Sequence, residues 1–162
     1  MVTYKEIKGD LIDLAKKGTF DVIAHGCNCF TVMGAGIAAQ IRDHFPIAVK
    51  IDAQYQSSMT PYNMLGTISA TQVVNSDNFT IVNCYTQYYP GRDLDYTALM
   101  MCLKKLNYLY KGKTIGLPQI GCGIGGGDWS IVKDLIQTYL KDVNVTVVIY
   151  KRNEKKSKDK QG

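Results

Sequence analysis

Three stretches of this chain put chemically capable side chains beside bare backbone. The first is HGCNCFTVMGAGIA, from His25 to Ala38, and the second is GCGIGGGDW, from Gly121 to Trp129. The third is the short run Gly9-Asp10-Leu11. A glycine-rich loop that enters a helix lets backbone N–H groups approach an anion closely, with the helix dipole adding to the attraction. Two such loops suit two phosphates or a single diphosphate. Asp10 and Asp128 each open a run with helical patterning, so each reads either as a ligand contact or as an N-cap. Asn28 both donates and accepts, or it closes a turn on its own backbone. His25 is a candidate general acid or base near neutral pH, or a satisfied histidine at the end of an apolar strand. For any one of the loops, a tight turn is the plain alternative.

Known phosphate fingerprints fit poorly. Gly121 to Gly126 satisfies G-x-G-x-x-G literally. A dinucleotide fold also needs an acid about 20 residues on, at the end of the next strand, whereas Asp142 precedes that strand. No G-K-[ST] follows, so no P-loop lysine or magnesium-binding hydroxyl is present. Phosphate recognition would rest on backbone, which suits binding a finished diphosphate better than phosphoryl transfer from ATP.

The elements that must position these loops follow from periodicity. Alternation predicts a strand over Val2–Ile7, ended by Gly9-Asp10, then a short helix over Leu11–Lys17 with lysines near its end. Residues 21–25 (DVIAH) read as a buried strand. Ala35–Phe45 reads as a helix, with Ile37, Ile41 and Phe45 on one face, and Pro46 opens a second helix to about Ser57. Gly66–Val74 and Phe79–Tyr85 read as strands joined by the turn NSDN. Asp95–Tyr110 is predicted as a helix, Thr114–Leu117 as a strand, Trp129–Leu140 as a helix and Val143–Tyr150 as the last strand. Strands and helices alternate, which gives the α/β class with a mostly parallel or mixed sheet and helices on both faces. Ligands of such sheets bind outside the carboxyl ends of the strands. All three unusual stretches would then share one edge.

The 162 residues suit one domain with a proper core. Apolar residues make up 46% and charged residues 20%, as in ordinary globular proteins. No signal peptide or membrane span is legible, and the five scattered cysteines read as reduced thiols, so a cytoplasmic protein is expected. His25-x-Cys27-x-Cys29 lacks the second ligand pair of a zinc site, and no metal or cofactor is expected. The net charge is +5, of which the last twelve residues carry +4, since KRNEKKSKDKQG holds six basic and two acidic residues. Residues 1–150 are therefore the domain, and 151–162 a basic, disordered tail. A solubilising end explains that tail better than a nucleic-acid contact, because no aromatic residue interleaves the lysines.

In combination, GDL at 9–11, HGCNCFTVMGAGIAAQI at 25–41 and PQIGCGIGGGDW at 118–129 resemble a macro domain over residues 2 to about 150. The similarity is strongest to the branch containing the antitoxin domains of bacterial DNA ADP-ribosylation, the terminal ADP-ribose glycohydrolase and a yeast-type ADP-ribose-1''-phosphate phosphatase. The phosphatase also carries a histidine at the place of His25. The resemblance implies a three-layer α/β/α fold with a mixed, mostly parallel sheet of six or seven strands. It implies ADP-ribose, or an ADP-ribosylated substrate, as the partner, and a monomer as the default state. By the same resemblance Asp10 would accept from the adenine amino group, with Leu11 or Ile12 offering an N–H. Asn28 would meet the distal ribose. Met33, Gly34, Ala35, Gly36 and Ile37 would hold the diphosphate from one side. Gly121, Cys122, Gly123, Ile124, Gly125, Gly126 and Gly127 would hold it from the other. Tyr85, Tyr88 and Tyr89 form a cluster from which one ring would cover the ribose or stack on adenine, or which is simply an aromatic sheet edge.

The sequence departs from the glycohydrolase pattern at two places. Gln87 stands where those members use a lysine, and Gly125 where some place an aspartate. Glutamine forms no Schiff base and is no nucleophile. The expected activity is therefore hydrolysis of an ADP-ribose derivative such as ADP-ribose-1''-phosphate, with His25, Asn28 and Asp128 converging as catalytic residues. The alternatives are a non-catalytic ADP-ribose-binding module and lysine-independent removal of ADP-ribose from protein or nucleic acid.

Overall fold

The computed structural model describes residues 2–74 and 78–151. Six strands form one sheet in the order β1-β6-β5-β2-β4-β3. The strands are β1 (Tyr4–Gly9), β2 (Val22–Cys27), β3 (Ile68–Val73), β4 (Phe79–Tyr85), β5 (Thr114–Leu117) and β6 (Asn144–Tyr150). Every pairing is parallel except that of β3 with β4. The helices are α1 (Leu11–Lys16), α2 (Gly36–His44), α3 (Pro46–Ser57), α4 (Pro61–Met64), α5 (Tyr96–Leu109) and α6 (Trp129–Tyr139).

Two apolar layers hold the sheet. On one face Leu99, Leu103 and Leu106 of α5 and Val132 and Ile136 of α6 bury against Val22, Ala24, Val82, Ile115, Val145 and Val147. On the other, Leu11 and Ile12 of α1, Ile41 of α2 and Ala48 of α3 pack on Ile23, Ile81 and Val148. Residues 22–24 of β2 are all buried, as a strand covered on both faces must be. Helix α2, which follows β2, and α6, which follows β5, therefore lie on opposite faces. Their connections part at the carboxyl ends of two adjacent strands and leave a crevice there.

Strand boundaries shift by a few residues from the periodicity reading. β1 runs from Tyr4 to Gly9 because Gly9 still pairs with Tyr150. β2 continues through Gly26 and Cys27, which pair with Cys84 and Tyr85, so two residues of the expected loop belong to the sheet. The short α4, opened by Pro61, is absent from the periodicity reading. The NSDN turn and the basic tail lie outside the described residues, apart from Asn78 and Lys151. No helix among the described residues is long and apolar enough to cross a membrane.

Candidate functional site

A cleft of about 400 Å³ opens at the carboxyl ends of β2 and β5. One wall is the loop into α2, through Gly34, Ala35, Gly36 and Ile37. The facing wall is Gly121, Cys122, Gly123, Ile124 and Gly125. Gly26, Cys27 and Asn28 meet Ile120 between them, and Gln87, Pro90 and Gly91 add a third side. Val148 and Tyr150 extend the lining towards β1, where the Lys151 N–H donates to Gly9 O at 3.0 Å.

The α2 wall is a helix N-terminus left open. Ala35 is its N-cap and offers no side-chain hydrogen bond. The first backbone bond back to the cap comes from Ala39, so the N–H groups of Gly36, Ile37 and Ala38 have no acceptor within the helix. Gly36 takes φ +61°, a left-handed conformation in which a side chain would be strained, and a Cβ there would come within 3.2 Å of Ile124 across the cleft.

The opposite wall differs. Within it the Cys122, Gly126 and Gly127 N–H groups are bonded to Gln119, Gly123 and Gly121 carbonyls. No described hydrogen bond uses the N–H groups of Gly121, Gly123, Ile124 and Gly125. Helix α6 itself does not face the cleft with an open end. Asp128 caps it, accepting from Ser130 N at 2.9 Å and Ser130 Oγ at 2.7 Å. Those bonds hold the exposed Asp128 carboxyl below its usual range. Asp128 is therefore a helix cap outside the lining, which corrects its expected catalytic placement.

Asn28 lies at the cleft and is 8% exposed. Its Oδ1 accepts from Phe30 N at 2.9 Å and Val32 N at 3.4 Å, while Nδ2 donates to Val32 O at 2.7 Å. This asparagine-centred turn supports Thr31 at φ +58°, a strained conformation for a β-branched residue. Thr31 Oγ1 also donates to Gln56 Oε1 of α3. One Nδ2 hydrogen remains for a ligand.

His25 is the principal correction. It is fully buried on β2 and absent from the cleft lining, with Nε2 at 2.7 Å from Asn83 Oδ1 and 3.5 Å from Sγ of Cys27, a residue that lines the cleft. The Asn83 amide donates to Ala48 O at 3.1 Å and Ser69 Oγ at 3.2 Å, so its Oδ1 must accept and His25 carries its proton on Nε2. Ser69 Oγ lies 2.8 Å from the Tyr85 hydroxyl, which donates to Asp52 Oδ1 at 2.7 Å. Tyr85 is fully buried and stacks on Tyr55, so it does not cover a ligand; it too is corrected to the core. Burial lowers the His25 pKa to about 4, partly opposed by the Asn83 hydrogen bond. A fully buried histidine held neutral and bonded to Asn83 is placed as a member of the core network and not of the cleft lining.

Among the remaining expected contacts, Met33 is buried beneath the α2 loop, and its carbonyl accepts from Arg42 Nη1 at 2.9 Å. Gly126 and Gly127 stand behind the lining, one beneath Arg92 and the other beneath Leu94. Asp10 caps α1, with Oδ1 accepting from Ile12 N at 2.9 Å and Asp13 N at 3.1 Å, which leaves Oδ2 unassigned. The buried Leu11 and Ile12 side chains belong to the core. Tyr88 and Tyr89 do form an aromatic cluster with Phe30, whose ring stacks on the exposed Tyr89 at 5.6 Å, while Phe30 and Tyr88 are half-buried.

Gln87 and Gly125, far apart in sequence, meet at the cleft. A Cβ on Gly125 would stand 3.0 Å from Gln87 Oε1 and 2.8 Å from Gly121 O. Gln87 Nε2 donates to Tyr89 O at 2.8 Å and Gly91 O at 2.7 Å. No histidine, carboxylate, lysine or arginine lines the cleft among the described residues. Its two cysteines are thiols: burial pushes Cys122 up to about 11 and Cys27 well above its ordinary value. No group of three or more metal-ligating side chains occurs among the described residues.

The macro domain family model matches residues 24–136, from the middle of β2 into α6. An uncharacterised 17.5 kDa protein of Enterobacteria phage T4 is 37% identical over 149 residues, covering 89% of this chain and 94% of that protein. The ADP-ribose 1''-phosphate phosphatase of Candida albicans is 31% identical over 153 residues, covering 86% of this chain and 94% of that protein. Among solved structures, Thermosipho africanus DarTG in complex with ADP-ribose superposes with a TM-score of 0.75 at 19% identity, covering 95% of this chain and 43% of that one. This chain belongs to the macro domain family.

Proposed function

We propose that this chain recognises ADP-ribose and its derivatives in the cleft between β2 and β5, and hydrolyses ADP-ribose-1''-phosphate to ADP-ribose and inorganic phosphate. The carrying observation is the pair of facing walls with unpaired N–H groups: Gly36 to Ala38 at an open helix N-terminus, and Gly121, Gly123, Ile124 and Gly125 opposite. Backbone donors at a helix start suit a diphosphate. The lining runs from Tyr150, beside Gly9-Asp10, at one end to Asn28 at the other. An acid for an adenine amino group, an anion cradle and an amide for a ribose diol then follow in the order that ADP-ribose needs. The phosphatase named for the Candida albicans relative supports the substrate. With no imidazole or carboxylate in the lining, the attacking water would pass its proton to the substrate's own phosphate.

That same lining favours a second reading, binding without turnover. Calorimetric titration with ADP-ribose and phosphate release from ADP-ribose-1''-phosphate separate the two. Asn28→Ala should weaken ADP-ribose binding about tenfold, the equivalent of one hydrogen bond to a ribose hydroxyl plus a loosened loop. Binding with phosphate release supports the hydrolase. Binding without release assigns a reader, and no binding removes both.

A further inference from the structure

One side-chain oxygen in the cleft wall has no partner, although the rest of its amide is fixed. Gln87 lines the cleft two residues beyond the end of β4. Its Nε2 donates to Tyr89 O at 2.8 Å and Gly91 O at 2.7 Å, which uses both hydrogens of the amide nitrogen. Reversing the amide would set its oxygen against two carbonyls, so the partners decide its orientation. The backbone is held as well: Gln87 bridges Leu94, and the Leu94 N–H donates to Gly125 O at 3.2 Å. No described hydrogen bond uses Gln87 Oε1. The fully buried side-chain atoms without a partner among the described residues are Asp52 Oδ2 and Thr86 Oγ1, and Gln87 Oε1 is not one of them. Gln87 is half-buried and lines the cleft, so this oxygen is open to solvent there.

What Oε1 can take follows from its surroundings. Gln87 Oε1 and Gly121 O flank Gly125, since a Cβ built on that glycine would stand 3.0 Å from the first and 2.8 Å from the second. Two carbonyl oxygens on one stretch of wall repel a phosphate oxygen and attract an O–H donor. This patch therefore differs from the N–H groups around it. Its place along the cleft is set by Cys29, whose N–H donates to Tyr88 O at 3.0 Å and whose thiol donates to Gln87 O at 3.4 Å. Cys29 follows Asn28, so Gln87 stands at the Asn28 end, where one Asn28 amide hydrogen is also free. A donor and an acceptor at one end of an anion cradle suit a hydroxyl group carried just beyond a diphosphate.

We propose that Gln87 is a specificity-determining residue: its Oε1 accepts from a hydroxyl of the ligand's distal ribose, and the cleft thereby prefers ADP-ribose to a nucleoside diphosphate that ends at its second phosphate. The inference rests on the ADP-ribose reading and adds to it the side chain that reads the distal sugar.

Gln87→Met removes the acceptor and both donors at similar volume. Gln87→Glu keeps an acceptor and loses the donors to Tyr89 O and Gly91 O. Calorimetric titration of each protein with ADP-ribose and with ADP gives a ratio of affinities in which effects on the diphosphate cradle largely cancel. The wild type should prefer ADP-ribose by about tenfold or more. Gln87→Met should cut that preference about tenfold, and Gln87→Glu should leave it within about threefold of the wild type. Equal affinity of the wild type for both ligands overturns the proposal, and so does an unchanged preference in Gln87→Met. An equal fall in both variants also overturns it and assigns the effect to a loosened loop. A crystal structure of the wild-type complex reads the contact directly: a distal ribose hydroxyl within about 3.2 Å of Gln87 Oε1 supports it, and a wider separation overturns it. A wild type that binds ADP-ribose but fails these tests loses only the role of Gln87. A wild type that binds neither ligand removes the ADP-ribose reading and this inference together.

Discussion

Strand β2 turns two consecutive residues to opposite faces of the sheet, and the two faces behave as different kinds of polar site. On the α3 side, His25 begins a chain of donors through Asn83, Ser69 and Tyr85 to Asp52. Every member is a side chain, and all are buried. On the other side, Gly26 begins a cleft whose polar groups are mostly backbone N–H. The side chains with familiar catalytic chemistry went to the network that ties α3 to the sheet. The cleft kept the residues with least chemistry of their own. An anion cradle needs close approach and fixed dipoles, and a titrating side chain supplies neither. A buried network needs satisfied partners, and backbone already committed to a sheet has none to spare.

The largest expected break in this comparison is His25→Ala. It removes a fully buried ring and orphans Asn83 Oδ1, so urea unfolding should show a loss of about 3 kcal/mol. The surviving folded protein should bind ADP-ribose as the wild type does. Unchanged stability with lost turnover would instead return His25 to the chemistry.

Next comes pH. The His25 pKa falls from 6.5 to about 4 on folding, so the unfolded chain binds the extra proton between those values. His25 therefore favours the folded state fully above pH 6.5, and this contribution is lost as pH falls towards 4, amounting to about 3 kcal/mol. Asp52 acts in the opposite sense, because burial raises its carboxyl above 3.8 and the folded state then takes up a proton first. Denaturation between pH 4 and 7 should be steepest in Asp52→Asn and flattest in His25→Ala. Equal slopes in the two variants would refute the assignment.

On the cleft side, a Cβ at Gly125 meets the Gly121 carbonyl at 2.8 Å, so Gly125→Ala must displace the glycine wall. Affinity for ADP-ribose should drop about tenfold with a stability change near 1 kcal/mol. The smallest effect belongs to Asp128→Ala. Loss of the cap on α6 lowers the thermal unfolding midpoint slightly, with phosphate release unaltered. A turnover defect larger than the stability loss would place Asp128 back at the reaction.

Much of the site was legible in the sequence because loops entering helices carry it. Gly34 to Ile37 and Gly121 to Gly125 do line one cleft, and Asn28 does stand between them. The rest was hidden by strand parity. His25 and Gly26 are neighbours in sequence, yet the pleat sends them to opposite faces, and β2 runs two residues further than its apolar pattern suggests. Asp128 and Asp10 carry the N-cap signature in the sequence, and the structure shows both caps made. Position alone groups Tyr85 with Tyr88 and Tyr89; the end of β4 buries the first, whereas the others lie beyond the strand in the aromatic cluster with Phe30.

The amino-acid sequence by itself determined the alternation of strands and helices, the side of the sheet on which the loops gather and the backbone character of the cleft walls. Those follow from local period, from glycine and from the right-handed crossover, which act over a few residues or one βαβ unit. Only the tertiary structure decided which polar side chains reach the cleft. That choice depends on strand register and on which helix covers which face, and it brought Gln87 to Gly125 and took His25 to Asn83.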